Sequence, residues 1–159
     1  MLPNFRLPTL FLLIAVLLSA CARTPVPPSP QPSPEERLLQ RAEATLNQAQ
    51  DSASPQRETL LIEAAKLYLQ LNDKANAKQV LEQIAPHQLS GRQYVTYALL
   101  YSDALLEDGH YFLARDLLTS PQIEALFKEM TPEQQIAWRG KRADLFSLLG
   151  EDEIATHEY

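Results

Sequence analysis

The sequence contains few cysteines, few glycines and few strand-forming patterns, and each shortage limits the folds open to it. Cys21 is the only cysteine in 159 residues, so no disulfide can form within one chain. Only four glycines are present, and short alternations of Val, Ile and Thr, which are typical of strands, are nearly absent. Leu, Ala, Gln and Glu are abundant instead and recur at helical spacing. The sequence therefore predicts an all-α fold.

Positive charge is also scarce. The chain has 14 basic and 20 acidic residues, which gives a formal net charge of -6. This balance argues against nucleic-acid binding and against electrostatic attachment to anionic lipid. The nearest approach to a basic cluster is Arg139, Lys141 and Arg142 beside Trp138, which we interpret as a local solvated face.

Sequence patterns typical of catalysis or metal binding are missing as well. His87, His110 and His157 lie far apart in the sequence, and none has a second metal ligand four residues away. The sequence has no glycine-rich phosphate loop and no Gly-x-Ser-x-Gly elbow. Its acidic clusters, Glu107-Asp108 and Glu151–Glu153, are typical of a solvated helix end and of a helix N-terminus. We therefore expect no enzymatic activity, no catalytic residue, no metal and no cofactor.

The N-terminus has the pattern of an export signal. Arg6 supplies a positive charge, and Leu10–Leu18 is an unbroken apolar run, shorter than the roughly 20 residues that span a bilayer. The following Leu18-Ser19-Ala20-Cys21 resembles the lipobox of bacterial lipoproteins, in which the cysteine becomes the lipidated first residue of the mature chain. This resemblance implies a lipoprotein signal peptide over residues 1–20 and a lipid on Cys21. An ordinary secretory signal with an unrelated cysteine is the alternative.

Residues 21–34 are predicted to link that lipid to the folded part of the chain. Six of the twelve residues from 23 to 34 are proline, which favours an extended polyproline II stalk. Ala22 stands where an aspartate would indicate retention in the inner membrane. By resemblance to enterobacterial sorting rules, we expect attachment to the outer membrane, on its periplasmic face, through the lipid on Cys21.

Capping and breaking residues divide residues 35–159 into helices. Ser33-Pro34, Ser54-Pro55 and Thr131-Pro132 combine a capping hydroxyl with a proline suited to the first helical turn. Two helices are predicted to begin at these first two signals, the second ending at Asn72-Asp73. The others are predicted over residues 74–84, 90–108, 110–119, 122–130, 131–149 and from 151 onward.

The turns at Asn72, Gly109 and Gly150 are separated by 37 and 41 residues and relate three similar segments. Each segment has a small residue seven positions before the turn, a large apolar residue four before it, and alanine five after it. The residues concerned are Ala65, Ser102 and Ala143, then Tyr68, Leu105 and Phe146, then Ala77, Ala114 and Ala155. Small residues let two helices approach closely, and a turn glycine or asparagine takes the left-handed conformation that ends the first helix.

This pattern resembles the tetratricopeptide repeat, so residues 35–159 are predicted to form tetratricopeptide-like antiparallel helical hairpins in a short solenoid. Three features depart from that repeat. Leu61, Ala98 and Arg139 occupy its tryptophan position, and the proline that closes each repeat is not at the expected distance. The spacing also exceeds the usual repeat of about 34 residues, with Gln122–Met130 inserted. A generic helical bundle is the alternative.

By the same resemblance, the outward face of each repeat's first helix lines a concave groove suited to a peptide or another protein. The residues on this face are Ile62, Lys66, Leu69, Gln70, Leu99, Asp103, Leu106, Glu107, Asp144 and Ser147. The alternative is that this face packs inside the superhelix and binds nothing.

The lipobox, the linker and repeats of the form Leu-Leu-x-x-Ala-Ala-x-x-Tyr-Leu … Ala-x-x-x-Leu together resemble the penicillin-binding protein activator family LpoA. The matching stretches are Leu60–Ala65, Ala77–Leu81, Ala114–Leu118, Pro132–Gln135 and Arg142-Ala143. The resemblance covers nearly all of the chain after the signal. It implies an outer-membrane lipoprotein that regulates peptidoglycan synthesis by activating a class A penicillin-binding protein, with peptidoglycan as a further candidate partner.

Members of that family usually carry a second, α/β domain, to which contact with the synthase is ascribed. These 159 residues resemble only the N-terminal helical region and stop at Tyr159 midway through a hairpin, which predicts a fragment or a truncated product. One alternative is a tetratricopeptide-like lipoprotein scaffold for outer-membrane or pilus assembly. Another is a peptidoglycan-cleaving enzyme whose catalytic domain lies beyond residue 159.

Overall fold

The computed structural model describes residues 31–158, a range that is helical and contains no strand. Its α-helices are α1 (Pro34–Gln50), α2 (Gln56–Gln70), α3 (Lys74–Leu81), α4 (Gly91–Glu107), α5 (Tyr111–Leu118), α6 (Pro121–Ala125), α7 (Pro132–Leu148) and α8 (Asp152–Glu158). Short 3₁₀ helices cover Pro86–Gln88 and Phe127–Glu129. The predicted all-α fold is confirmed for this part of the chain. The predicted signal peptide, Cys21 and most of the linker lie outside the described residues.

Capping boxes begin the three longest helices, α1, α4 and α7. At α1 the Ser33 Oγ accepts from the Glu36 amide at 3.1 Å, and Glu36 Oε2 accepts from the Ser33 amide at 2.6 Å. At α7 Thr131 and Gln134 make the same reciprocal pair. Because these bonds satisfy donors that a helix N-terminus leaves free, the predicted starts at Ser33 and Thr131 are confirmed.

The predicted capping of α2 by Ser54 is wrong. The Ser54 hydroxyl donates to Glu58 Oε2 at 2.6 Å and does not accept from a backbone amide of the helix. Pro55 is the N-cap residue and makes no side-chain capping bond. The Ser54 hydroxyl therefore bonds to the buried Glu58 carboxylate, one turn into the helix, instead of capping the backbone.

Two other predicted helices are shorter in the structure. The helix expected over residues 74–84 ends at Leu81, because Ala85 precedes Pro86 and takes an extended conformation. The segment expected to be one helix over residues 122–130 is α6 followed by a separate 3₁₀ turn. Leu126, between the two, packs against the start of α4, where a Cβ on Gly91 would lie 2.7 Å from its Cδ2.

Consecutive helices pack as neighbours. The pairs α1–α2, α2–α3, α4–α5 and α7–α8 are in contact, and α4 also contacts α2, α3, α6 and α7. The core between them is apolar, and its most enclosed large side chains include Leu61, Leu81, Leu118, Ile123 and Leu145. No helix within residues 31–158 is both long enough and apolar enough to cross a membrane.

Trp138 joins α7 to α5. Its indole Nε1 donates to the Leu118 carbonyl at 2.9 Å, and the Arg142 guanidinium lies 4.5 Å from the centre of its ring. Arg142 also pairs with Glu158 at 2.7 Å and with Glu124 at 3.2 Å, and its side chain is only 13% exposed. The interpretation of this basic cluster as a solvated face is therefore wrong for Arg142, because acids from α6 and α8 and an aromatic ring enclose it.

Candidate functional site

One kind of turn closes the three hairpins α2–α3, α4–α5 and α7–α8. Its left-handed residues are Asn72, Gly109 and Gly150, with φ of 57°, 75° and 76°. In each, the amide after that residue donates at 2.8 Å to the carbonyl five positions earlier, joining Asp73 to Tyr68, His110 to Leu105 and Glu151 to Phe146. This is the Schellman arrangement, which satisfies carbonyls at a helix C-terminus. The predicted left-handed turns are confirmed at all three positions.

The repeated small and large residues are buried in all three hairpins. Ala65, Ser102 and Ala143 are fully buried, and Ala77, Ala114 and Ala155 are at most 5% exposed. The large residues Tyr68, Leu105 and Phe146 are 3–6% exposed. The spacing derived from the sequence therefore marks core positions in each hairpin.

A second repeated feature links one hairpin to the next. Gln93 Oε1 accepts from the Ser90 amide at the start of α4, while its Nε2 donates to Thr59 Oγ1 of α2 at 2.6 Å. Gln134 does the same at α7: it accepts from Thr131 and donates to Thr96 Oγ1 of α4 at 3.4 Å. The two threonines occupy the same position, 13 residues before the turn. One glutamine thus both caps its own helix and attaches it to the preceding hairpin.

A groove of about 370 Å³ runs between α2 and α4 at this link. Its lining combines two apolar side chains, three uncharged polar ones and three charged ones. They are Thr59, Leu60, Ile62, Glu63, Lys66, Arg92, Gln93 and Thr96. We call this surface the α2/α4 groove.

The α2/α4 groove continues toward the start of both helices. An adjoining cavity of about 700 Å³ shares Thr59, Leu60 and Gln93 with it and is otherwise lined by Pro55, Gln56, Gln88, Leu89 and Ser90. The 3₁₀ turn before α4 supplies Gln88 to this wall. A bound segment would therefore have an elongated surface available rather than a closed pocket, which suits a peptide better than a small compact ligand.

The residues expected to line a single groove are placed in three different settings. Ile62 and Lys66 line the α2/α4 groove, while Asp144 and Ser147 line a separate crevice of about 590 Å³ between α7 and α8. Ile62 is only 5% exposed and Leu99 only 9%, so both belong largely to the core. Leu69 and Leu106 are half-buried against the core, and Gln70 is exposed.

The remaining two predicted groove residues hold helices together. Asp103 pairs with Lys141, and Glu107 pairs with Lys74. Each pair connects two different helices, so these carboxylates are already engaged by the fold. The structure therefore does not bring the ten predicted residues together into one continuous surface.

Glu58 carries the most enclosed charge among the described residues, with 1% of its surface exposed. Ser54 donates to its Oε2 at 2.6 Å, and Arg57 Nη1 lies 3.2 Å from its Oε1. Burial raises the pKa of Glu58, but the Ser54 hydroxyl, a backbone amide and Arg57 together lower it below the ordinary value of 4.5. The carboxylate therefore stays ionised at neutral pH and acts as an internal anchor for the start of α2.

Three tyrosines follow one another along α4. The ring centroids of Tyr97 and Tyr101 are 5.4 Å apart, and those of Tyr94 and Tyr97 are 6.3 Å apart. Burial, followed by the neighbouring phenols and Glu82, raises the pKa of Tyr97 to about 12. This phenol is protonated at neutral pH and is suited to packing rather than to acting as a base.

The described residues show no arrangement suited to a metal ion. Within residues 31–158, no group of three or more His, Cys, Asp or Glu side chains is arranged to hold a metal ion. His87, His110 and His157 are all exposed.

Comparison with protein-family models, with curated proteins and with solved structures gives no match for this chain.

Several groove residues were not predicted from the sequence: Thr59, Leu60, Glu63, Arg92, Gln93 and Thr96. A signal for one of them, Gln93, was present. Ser90-x-x-Gln93 and Thr131-x-x-Gln134 are both capping boxes, and each glutamine lies 16 residues before its turn. The contacts of these glutamines with Thr59 and Thr96 of the preceding hairpin are visible only in the structure.

Proposed function

We propose that this chain is an outer-membrane lipoprotein that regulates peptidoglycan synthesis by activating a class A penicillin-binding protein. In this proposal residues 35–159 form a tetratricopeptide-like solenoid, and the lipid on Cys21 ties that solenoid to the periplasmic face of the outer membrane. The chain acts by binding another protein and performs no catalysis of its own.

The observation that carries the proposal is the repetition of one hairpin unit three times. Three Schellman turns, three fully buried small residues and two glutamine–threonine links recur at matching positions. Helical hairpins stacked in this way form extended surfaces that generally bind other proteins or peptides. The α2/α4 groove is an open surface of that type.

The attachment to a membrane is supported by the N-terminal sequence. Arg6, the apolar run Leu10–Leu18 and the lipobox-like Leu18-Ser19-Ala20-Cys21 follow one another in the order that lipoprotein export requires. A lipid anchor of several acyl chains contributes about 0.8 kcal/mol per buried methylene, enough for stable attachment. The resemblance of the degenerate repeats to the LpoA family supports activation of a penicillin-binding protein. The turn spacings of 37 and 41 residues, longer than the usual repeat of about 34, favour this over a tetratricopeptide-like scaffold for outer-membrane or pilus assembly.

The anchor is tested by labelling cells with radioactive palmitate while they express the full-length gene product. We expect label on the protein and recovery in outer-membrane fractions. Cys21→Ser is expected to lose the label and to disappear from the outer-membrane fraction. Cys21→Ala, which lacks both the thiol and the hydroxyl that serine would introduce, is the matched control and should behave in the same way. A labelled Cys21→Ser protein would contradict the proposal.

The regulatory role is tested with purified components. The lipid-free full-length gene product is added to a class A penicillin-binding protein, and glycan polymerisation and peptide cross-linking are measured separately. We expect a severalfold increase in at least one rate, saturating with the added protein. Unchanged rates together with no detectable complex would reject activation, whereas the anchor experiment would stand independently.

A further inference from the structure

Two basic side chains in the α2/α4 groove are left without an acidic partner. Lys66, which is half-buried, and Arg92, which is exposed, line the groove, and neither pairs with an acid among the described residues. The chain as a whole carries a net charge of -6. Lys66 and Arg92 are two of the five basic side chains that make no ion pair within residues 31–158, and both line the same groove, a local feature that net charge does not predict.

Most of the other basic residues within residues 31–158 pair with carboxylates, whereas Arg37, Lys128 and Arg139 do not. Lys74, Lys78 and Lys141 each pair with a carboxylate from elsewhere in the chain, and Arg142 pairs with two. A ligand would have to compete with a carboxylate of the fold for each of these four cations. Lys66 and Arg92 offer their charge to the groove without that competition.

The rest of the groove lining suits an acidic peptide rather than an isolated anion. Leu60 and Ile62 supply an apolar surface, and Thr59, Gln93 and Thr96 are polar groups beside it. The one acid in the lining, Glu63, lies 3.6 Å from Arg41, which offsets its charge. A segment with carboxylates and an adjacent apolar side chain would match both the charge and the apolar part of this surface.

We propose that the α2/α4 groove is a docking site for an acidic, partly apolar segment of a partner protein, whose carboxylates pair with Lys66 and Arg92. This inference deepens the proposed function by naming the chemistry of the segment that the solenoid binds. Its test uses defined peptides and does not depend on which envelope protein supplies the segment, so it fails or succeeds separately from activation of a synthase.

The test is isothermal titration calorimetry of the full-length chain with three short synthetic peptides at physiological ionic strength. The first alternates leucine with glutamate and aspartate, the second has glutamine and asparagine in place of the acids, and the third has lysine there. We expect the acidic peptide to bind, and the amide peptide to bind about twofold to thirtyfold more weakly, the range expected for two partly exposed charge pairs. The lysine peptide should show no binding.

Matched variants locate the site. The double variant Lys66→Gln with Arg92→Gln should weaken binding of the acidic peptide by the same factor of about twofold to thirtyfold. Arg37→Gln with Lys128→Gln removes the same charge from two cations that also lack ion pairs among the described residues but lie outside the groove. This control should bind the peptide as the unmodified chain does, and circular dichroism should show both double variants to be equally folded.

Three results would overturn the proposal. Equal binding of the acidic and amide peptides would show that Lys66 and Arg92 contribute no recognition. Equal weakening by the groove variant and by the control would indicate general electrostatic attraction. Binding of soluble peptidoglycan fragments that is lost in Lys66→Gln with Arg92→Gln, without binding of the acidic peptide, would assign the groove to a different ligand.

Discussion

Glu58, Val95 and Ile136 occupy the same position of three successive hairpins, 14 residues before the left-handed turn residue, yet their surroundings differ sharply. Glu58 and Val95 are each 1% exposed, whereas Ile136 is 74% exposed. The position three residues later, about one turn further along the same helix, shows the same trend. Leu61 and Ala98 are buried there, and Arg139 is exposed. Within residues 31–158, α2 contacts a helix of the following hairpin and so does α4, whereas no hairpin follows α7–α8.

The comparison shows that burial at this position is set by the next hairpin rather than by the residue itself. A carboxylate is tolerated in α2 only because Ser54 and Arg57 accompany it. An apolar side chain in α7 lies in solvent because nothing among the described residues covers it. The repeated residues therefore set the backbone conformation and the turn of each hairpin. Contact with the next hairpin sets how much a residue on the outward face contributes to stability.

The largest effect should come from placing a glutamate at the covered and uncovered positions. Val95→Glu buries a charge where Gly91 and Tyr94 replace the two partners that Glu58 has, so we expect destabilisation of more than about 4 kcal/mol or loss of folding. Ile136→Glu should change the free energy of unfolding by less than about 0.5 kcal/mol. Urea unfolding followed by circular dichroism measures both, and similar values for the two would remove the comparison.

The next effect concerns the charge of Glu58 and depends on pH. Because the pKa of Glu58 is lowered in the folded state, its ionised form stabilises the fold above the ordinary value of 4.5, and this stabilisation is lost as pH falls through the lowered pKa. Glu58→Gln should cost about 1–3 kcal/mol at pH 7. Below the lowered pKa the two proteins should become nearly equal in unfolding free energy, and a difference independent of pH would contradict the role of the charge.

A smaller effect is expected at the left-handed turns. Here the loss of stability should be the same in α4–α5, which another hairpin follows, and in α7–α8, which none follows within the described residues. Gly109 and Gly150 both have positive φ, and a Cβ on either would meet no atom within 4 Å. Alanine at each should therefore cost about 1 kcal/mol through backbone conformation alone. A much larger loss at Gly109 than at Gly150, in the same unfolding measurement, would mean that the neighbouring hairpins also constrain the turn.

The smallest expected effect lies in the links between hairpins. Thr96→Val removes the acceptor for Gln134, and Thr59→Val removes the acceptor for Gln93. Both sites are partly open to solvent, so each change should cost about 0.5–1 kcal/mol. A double-mutant cycle of Thr96→Val with Gln134→Leu separates the link from the capping role of the glutamine, and a coupling energy of zero would show that the link stabilises nothing.

Much of the fold is predictable from local sequence signals. Turn residues with positive φ and small residues seven positions before them have purely local causes, so Asn72, Gly109 and Ala65 were placed correctly. Ser54 was misassigned because the competing group, Glu58, is buried only once the tertiary structure has formed. The break after α6 likewise depends on how Leu126 packs against Gly91, which no local pattern encodes.

The candidate site was less predictable because it lies between helices rather than on one. The resemblance to the tetratricopeptide repeat placed Ile62 and Lys66 on the outward face of α2, and both line the α2/α4 groove. It gave no indication that Leu99 is enclosed or that Asp103 is paired with Lys141, since these depend on the position of α7. Arg92 lies near the start of α4, whereas the predicted groove residues of this helix begin at Leu99.

The contact between Trp138 and Leu118 has a practical consequence. Trp138 is the one tryptophan of the chain, it is 7% exposed, and its indole N–H is bonded to a carbonyl of the preceding hairpin. Tryptophan emission moves to longer wavelength when the indole becomes hydrated. The protein therefore contains its own optical reporter at the junction of its second and third hairpins, and detachment of the third hairpin would appear as a red shift before helicity is lost.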